Sequence, residues 1–157
     1  MKKLIGVIGN SNPNKKEYEI AVNIGSLIAQ NDCILVCGGL GGVMEGASKG
    51  AKLNGGTTIG IIPGNDKNSC NKYIDIPIVT GFGEARNVIV VKTSHSIIAI
   101  GGSFGTLSEI SFALKYKIPI VGINTWDVSE KIIKHTDPNE AFKTAYELAV
   151  NARGSIL

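Results

Sequence analysis

The chain has 157 residues, the size of one domain and enough to bury about 70% of the surface that its unfolded form exposes, so no covalent or metal staple is required. Its 43% hydrophobic and 18% charged content excludes a disordered chain, and a net charge of +3 gives no basic stripe of the kind nucleic-acid binders carry. Glycine is the outlier: 20 residues, about 13% against a usual ~7%, ask for many tight turns or close backbone approaches.

From the N-terminus, Met1 to Gly9 holds two lysines and a brief apolar run, and the polar Asn10 to Lys16 behind it shows no small-residue cleavage pattern. That reads as no signal peptide. No stretch approaches the ~18 to 20 apolar residues of a membrane helix, so a cytoplasmic chain with no membrane partner is expected. Lys3 to Ile8 predicts a buried strand. Asn12 then caps a helix with Pro13 at its first position, running to about Gln30 with Ile20, Ile24, Leu27 and Ile28 at helical spacing. Cys33 to Cys37 is a second strand, ending in Gly38-Gly39-Leu40-Gly41-Gly42. The next helix carries Val43, Ala47 and Ala51 on one side and closes at Gly55-Gly56.

Thr57 to Ile62 is the third strand, stopped by Pro63-Gly64. Asn65 to Tyr73 is a loop, either a flap or a surface excursion. Ile74 to Val79 reads as a short strand that Pro77 places at an edge. Glu84 to His95 fits a helix, with Ala85, Val88, Ile89 and Val91 as a blurred apolar stripe. Ile97 to Ile100 is a fully buried strand, and the helix after it turns Leu107, Ile110 and Leu114 inward. Pro119 to Ile123 is a further strand. The chain after Trp126 is ambiguous until Asp137-Pro138-Asn139-Glu140, which combines a cap, a proline and an acid in the first turn of a final helix. Ala141, Ala145, Leu148 and Ala149 dock that helix on the sheet.

Strands that alternate with helices and lack polar alternation predict one doubly wound α/β domain over residues 1 to 157, Rossmann-like, with a mainly parallel sheet covered on both faces. In such folds ligands bind beyond the carboxyl ends of the strands, where three Gly-rich turns fall. They supply the candidate phosphate- and nucleotide-binding set: Gly9 and Ser11; Gly38, Gly39, Gly41, Gly42 and Met44; and Gly101, Gly102, Ser103, Gly105 and Thr106. The last turn opens a helix whose free N–H groups and dipole favour a phosphate or carboxylate. Neither G-x-G-x-x-G nor a Walker lysine occurs, which lowers the weight of NAD binding and ATP hydrolysis. Gly102-Ser103-Phe104-Gly105 also lacks the spacing of a serine nucleophile elbow.

Thr106 and Glu109 lie three apart on that helix, on one face. Thr106-Leu107-Ser108-Glu109 fits a capping box, with Glu109 bound to a backbone N–H. The other reading makes Glu109 a general base, or the stabiliser of a developing cation beside a phosphate ester. Arg86, at a helix start where the dipole disfavours a cation, requires an anionic ligand or Glu109 as partner, or else is exposed and paired with Glu84. His95 and His135 read as structural, and Lys49, Lys52 and Lys72 as solvated charges. Met44 reads as core ahead of contact. Cys33, Cys37 and Cys70 are odd in number and form no C-x-x-C, so they read as buried or idle thiols, and no metal site is expected.

Gly101 to Glu109, Gly-Gly-Ser-Phe-Gly-Thr-Leu-Ser-Glu, resembles the P-G-G-x-G-T-x-x-E signature of the LOG family, named from the plant enzyme that releases cytokinin bases from riboside monophosphates. Gly38 to Met44 resembles that family's second glycine motif, and Gly55 to Pro63 its following strand. Arg86 stands 23 residues before Glu109 (109 − 86), a separation similar to that of the family's catalytic Arg and Glu. The resemblance spans roughly Leu4 to Asn124. The signature's proline is absent, Asn87 stands where a lysine follows the arginine, and the usual upstream methionine is missing. Those departures look more like the molybdenum-cofactor carrier branch of the same SLOG superfamily, sometimes labelled lysine decarboxylase-like, whose members are binders.

Two functions follow from the resemblance. A LOG-like phosphoribohydrolase would hydrolyse the N-glycosidic bond of nucleoside 5′-monophosphates with no required cofactor. Gly102, Gly105 and Thr106 would then hold the phosphate, Arg86 would orient the ribose or stabilise negative charge, and Glu109 would stabilise the oxocarbenium-like state or activate water. A carrier would hold a molybdopterin-type cofactor or a nucleotide by its phosphate on the same loops. The DNA-processing protein DprA is a remote third relative, ranked last because this chain lacks the stacking aromatics and basic stripe for single-stranded DNA. The resemblance also implies a homodimer or higher homo-oligomer.

Overall fold

The computed structural model describes residues 1–152. Its strands are β1 (Leu4–Gly9), β2 (Ile34–Cys37), β3 (Thr57–Ile62), β4 (Ile76–Val79), β5 (Ser96–Ile100), β6 (Ile120–Ile123) and β7 (Ile132–Lys134). The helices are α1 (Lys15–Gln30), α2 (Val43–Leu53), α3 (Asn87–Thr93), α4 (Phe104–Tyr116) and α5 (Pro138–Asn151). All strand pairs are parallel, in the order β4-β3-β2-β1-β5-β6-β7. This is the doubly wound Rossmann-like fold that the apolar runs predict.

Every residue of β5 is buried because helices cover both faces of the sheet. Ile98 and Ile100 pack into one core with Ile24, Ile28, Ala47 and Ala145 from α1, α2 and α5. Ile97 and Ala99 alternate into the other, against Val90, Val91, Ile110 and Ala113 of α3 and α4. On the first face α1 and α2 meet backbone to backbone. A Cβ on Gly25 would lie 1.9 Å from the Ala47 carbonyl oxygen, and one on Gly50 1.9 Å from that of Val22.

Four local expectations are corrected. Asn14, not Asn12, caps α1: its side chain accepts from Glu17 N at 2.9 Å, and Glu17 accepts from Asn14 N at 3.0 Å. Asn14 has a glutamate three residues on to complete a capping box, whereas Asn12 has Lys15, so Pro13 stays outside the helix. The segment Glu84 to His95 is a 3-10 turn, Gly83–Arg86, followed by α3. The inward stripe of α4 is Thr106, Glu109, Ile110 and Ala113, with Leu107 and Leu114 only half-buried. The ambiguous stretch after Trp126 contains β7, three residues long with Ile133 and Lys134 exposed, too short for a period. Pro77 does sit on an edge strand, β4, and Asp137 does cap α5.

Candidate functional site

The strand order reverses between β1 and β5. The chain leaves β1 for α1 on one face and β5 for α4 on the other, which opens a crevice beyond their carboxyl ends. Here lies a cavity of about 280 Å³. Ile8, Gly9 and Ser11 line it from β1 and its turn, Leu40 and Met44 from around the start of α2, Glu84, Arg86 and Asn87 from the turn into α3, and Ser103, Gly105, Thr106 and Glu109 from α4.

The start of α4 is built to leave donors free. Ser103 is its N-cap but its side chain makes no capping bond, and the first N–H groups of a helix have no acceptor within it. Gly102 sits at φ 125°, and a Cβ there would lie 2.6 Å from Thr106, so glycine is required for Thr106 to turn into the cavity. A Cβ on Gly105 would meet nothing within 4 Å, which leaves the approach to the first turn open.

The capping-box reading of Glu109 fails, because the helix begins at Phe104: Thr106 is its third residue and Glu109 its sixth, too deep to reach the free N–H groups at the start. Glu109 is 7% exposed. Burial pushes its carboxyl up to about 8, against the pull of the Arg86 charge and with a further upward push from Glu84. At neutral pH the acid form predominates, so the cavity holds a hydrogen-bond donor where the sequence suggests a carboxylate.

Arg86 is 6% exposed, which overturns the reading of an exposed arginine paired with Glu84. The ion pairs among the described residues lie elsewhere. Its Nη2 donates to the Gly38 carbonyl at 3.3 Å, and its Nη1 donates to Asn87 Oδ1. A Cβ on Gly38 would sit 2.5 Å from Nη2, so the second glycine turn makes room for the guanidinium. Arg86 Nε is buried with no partner, a donor whose desolvation costs ~1–3 kcal/mol until something accepts from it.

Asn87 is the residue that sequence reasoning misses. Its Nδ2 donates to Ser108 Oγ at 3.0 Å, and Ser108 Oγ donates to the Gly105 carbonyl at 2.7 Å. One chain of hydrogen bonds thus joins Arg86 to the first turn of α4. The signals for Asn87 in the sequence are adjacency to Arg86 and its place where the LOG family has lysine. Glu84 and Leu40 are also lining residues that the motifs do not mark.

The remaining predicted residues shape the turns. Gly39 packs on Ile62 and Gly60, Gly101 lies against Glu17, and Gly41 has no atom within 4 Å of a Cβ position. Gly42 lies against the carbonyls of Asn10 and Ser11 and, with Ser11, borders a separate open groove over α1 and α2. Met44 is half-buried and lines the cavity, so it is a contact residue where core was expected. His95 Nδ1 accepts from Leu4 N and His135 Nε2 bonds to Thr144, which fits structural roles. Lys52 is bound to Asp75 at 2.6 Å rather than merely solvated. Cys33, Cys37 and Cys70 are free thiols. Among the described residues no helix is long and apolar enough to cross a membrane.

The model of the SLOG cluster4 family matches residues 2–152. An uncharacterized protein of Archaeoglobus fulgidus is 43% identical over 140 residues, covering 83% of this chain and 92% of its own. Among solved structures, the molybdenum cofactor binding protein of Rippkaea orientalis superposes with a TM-score of 0.89 at 34% identity, over 94% of this chain and 98% of that one. The molybdenum cofactor carrier protein of Chlamydomonas reinhardtii does so with a TM-score of 0.89 at 36% identity, over 96% and 100%. DNA processing protein A of Helicobacter pylori, at 17% identity and a TM-score of 0.71 over 92% and 80%, is similar in fold alone.

Proposed function

Because the chain belongs to the SLOG cluster4 family, we propose that it binds a phosphorylated pterin cofactor of the molybdenum-cofactor type and carries it without chemical change. The observation that carries this reading is the orphaned, buried Nε of Arg86 beside the uncapped start of α4. A phosphate at the α4 start would accept from the backbone N–H groups of the first turn, from Thr106 Oγ1 and from Arg86. The protonated Glu109 would donate to a polar atom of the ligand. The cofactor is cargo here, and the whole-length likeness to a cofactor-binding and a cofactor-carrier protein supports it over other phosphorylated ligands.

A second reading is hydrolysis of a nucleoside 5′-monophosphate, favoured by Arg86 and Glu109 lining one cavity. The raised carboxyl of Glu109 weighs against a purely electrostatic role there: at neutral pH the acid form predominates and offers little negative charge to an oxocarbenium-like centre.

One preparation tests both. Purified protein is incubated anaerobically with molybdenum cofactor and desalted, and the protein fraction is assayed for pterin fluorescence after oxidation. In parallel, wild type and Glu109→Ala are incubated with AMP and the products are separated by chromatography. Retained pterin and no free adenine is the expected result. Pterin absent from the protein fraction overturns the carrier reading, and adenine released by wild type but not by Glu109→Ala establishes the hydrolase.

A further inference from the structure

Phe104 is 79% exposed at the first position of α4, next to the open Gly105. An aromatic ring left in water beside a ligand cavity is a cost to the free protein that a planar ligand would remove. It is not alone. Trp126 lies against it with ring centroids 5.8 Å apart and planes inclined by 31°.

The pair is anchored to the glycine turn. Trp126 Nε1 donates to the Ser103 carbonyl at 3.0 Å, and Thr125 Oγ1 donates to the Gly101 carbonyl at 2.5 Å. The segment after β6 is therefore stitched to the turn that opens α4. Asn124 takes a left-handed φ of 49°, sparsely populated for a residue with a side chain, at the head of that segment. Trp126 lines a second cavity of about 480 Å³, whose walls also include Asn124, Thr125 and His135. The aromatic pair thus stands at the start of α4, where Phe104 is flanked in the chain by Ser103 and Gly105, which line the first cavity, and Trp126 lines the second.

We infer that Phe104 and Trp126 form the platform on which the planar heterocycle of the ligand stacks while its phosphate sits at the start of α4. The inference rests on the reading of that start as a phosphate site and adds to it the position of the ring. It names the ligand class as a bicyclic heterocycle carrying a phosphate, in preference to a phosphate ester of an aliphatic alcohol. Stacking needs only a π-face, so the platform recognises planarity, and the polar walls of the second cavity are left to read the ring's edge.

Trp126 is the chain's one tryptophan, so its emission reports on the platform directly. The experiment titrates wild type, Phe104→Ala and Trp126→Phe with molybdenum cofactor and, separately, with inorganic phosphate, following fluorescence and calorimetric heat. Circular dichroism and sedimentation accompany each variant. Cofactor should quench Trp126 while phosphate binds without quenching. Phe104→Ala should weaken cofactor binding by roughly 5- to 100-fold and leave phosphate binding unchanged. Trp126→Phe keeps a ring and should lose less.

Cofactor bound at full affinity by Phe104→Ala, with Trp126 emission unmoved in wild type, overturns the platform and leaves the phosphate site standing. If Phe104→Ala alters sedimentation but not affinity, the pair is an assembly face and the inference is wrong. If neither probe binds wild type, the platform and the reading beneath it fall together.

Discussion

Replacing Glu109 by glutamine removes a titration that the fold opposes. The carboxyl rises from 4.5 to about 8 on folding, with burial as the largest cause. Well below pH 4.5 the folded and unfolded chains both hold the proton. Between there and about pH 8 the unfolded chain releases it and the folded chain retains it, so stability falls by ~1.4 kcal/mol for each pH unit. Above about 8 the loss is complete, at roughly 5 kcal/mol. Glutamine is close in shape and never ionises. The stability advantage of Glu109→Gln over wild type should therefore widen by about 4 kcal/mol between pH 5 and pH 8.5. His95, whose proton affinity burial lowers, changes stability in the opposite sense, but equally in both proteins. Urea unfolding at several pH values measures the gap from the midpoints. A gap that stays constant with pH would show that Glu109 ionises normally in the folded chain and would refute the argument that it is a donor at neutral pH.

Arg86→Met should lower affinity for a phosphorylated ligand by about 10- to 100-fold in calorimetry while the fold survives, since the methionine occupies the stem's volume and carries no orphaned donor. Gly102→Ala should cost about 1–3 kcal/mol in urea unfolding through its backbone conformation alone, and should weaken ligand binding as well because the new Cβ displaces Thr106. Asp137→Ala, which removes the cap of α5, should cost about 1 kcal/mol and lower Tm by about 2–4 °C.

The strands were legible because burial on both faces of a parallel sheet demands continuous apolar runs, and Ile97 to Ile100 has no other reading at that length. β7 was not, since three residues with two exposed leave no pattern. The two misplaced helix starts share one cause. Asn12-Pro13 and Thr106-x-x-Glu109 are both sound start signals, but the true start depends on which candidate the chain reaches in the right conformation. Gly102 at φ 125° delivers the chain to α4 at Ser103, three residues before the box could begin. The glycine turns pointed to the correct edge of the sheet. Which of their residues would face the cavity was not readable, because Gly39 and Gly105 look alike in sequence and differ only in what surrounds them. Asn87 escaped because its role is defined by Ser108, 21 residues away on another helix.

The cavity straddles a seam whose two strands, β1 and β5, are separated by some ninety residues of chain, and Gly9 faces Ile100 across it. Neither half of the molecule possesses the binding surface alone, so a ligand held there acts as a clamp across the sheet and recognises only the completed fold. Occupancy must then register as heat resistance. At a hundred times its dissociation constant such a ligand contributes about 2.7 kcal/mol, a Tm rise of about 5–10 °C for a chain of this size. A melting screen over phosphorylated heterocycles can therefore rank cargo candidates without labelling the protein or presupposing any reaction.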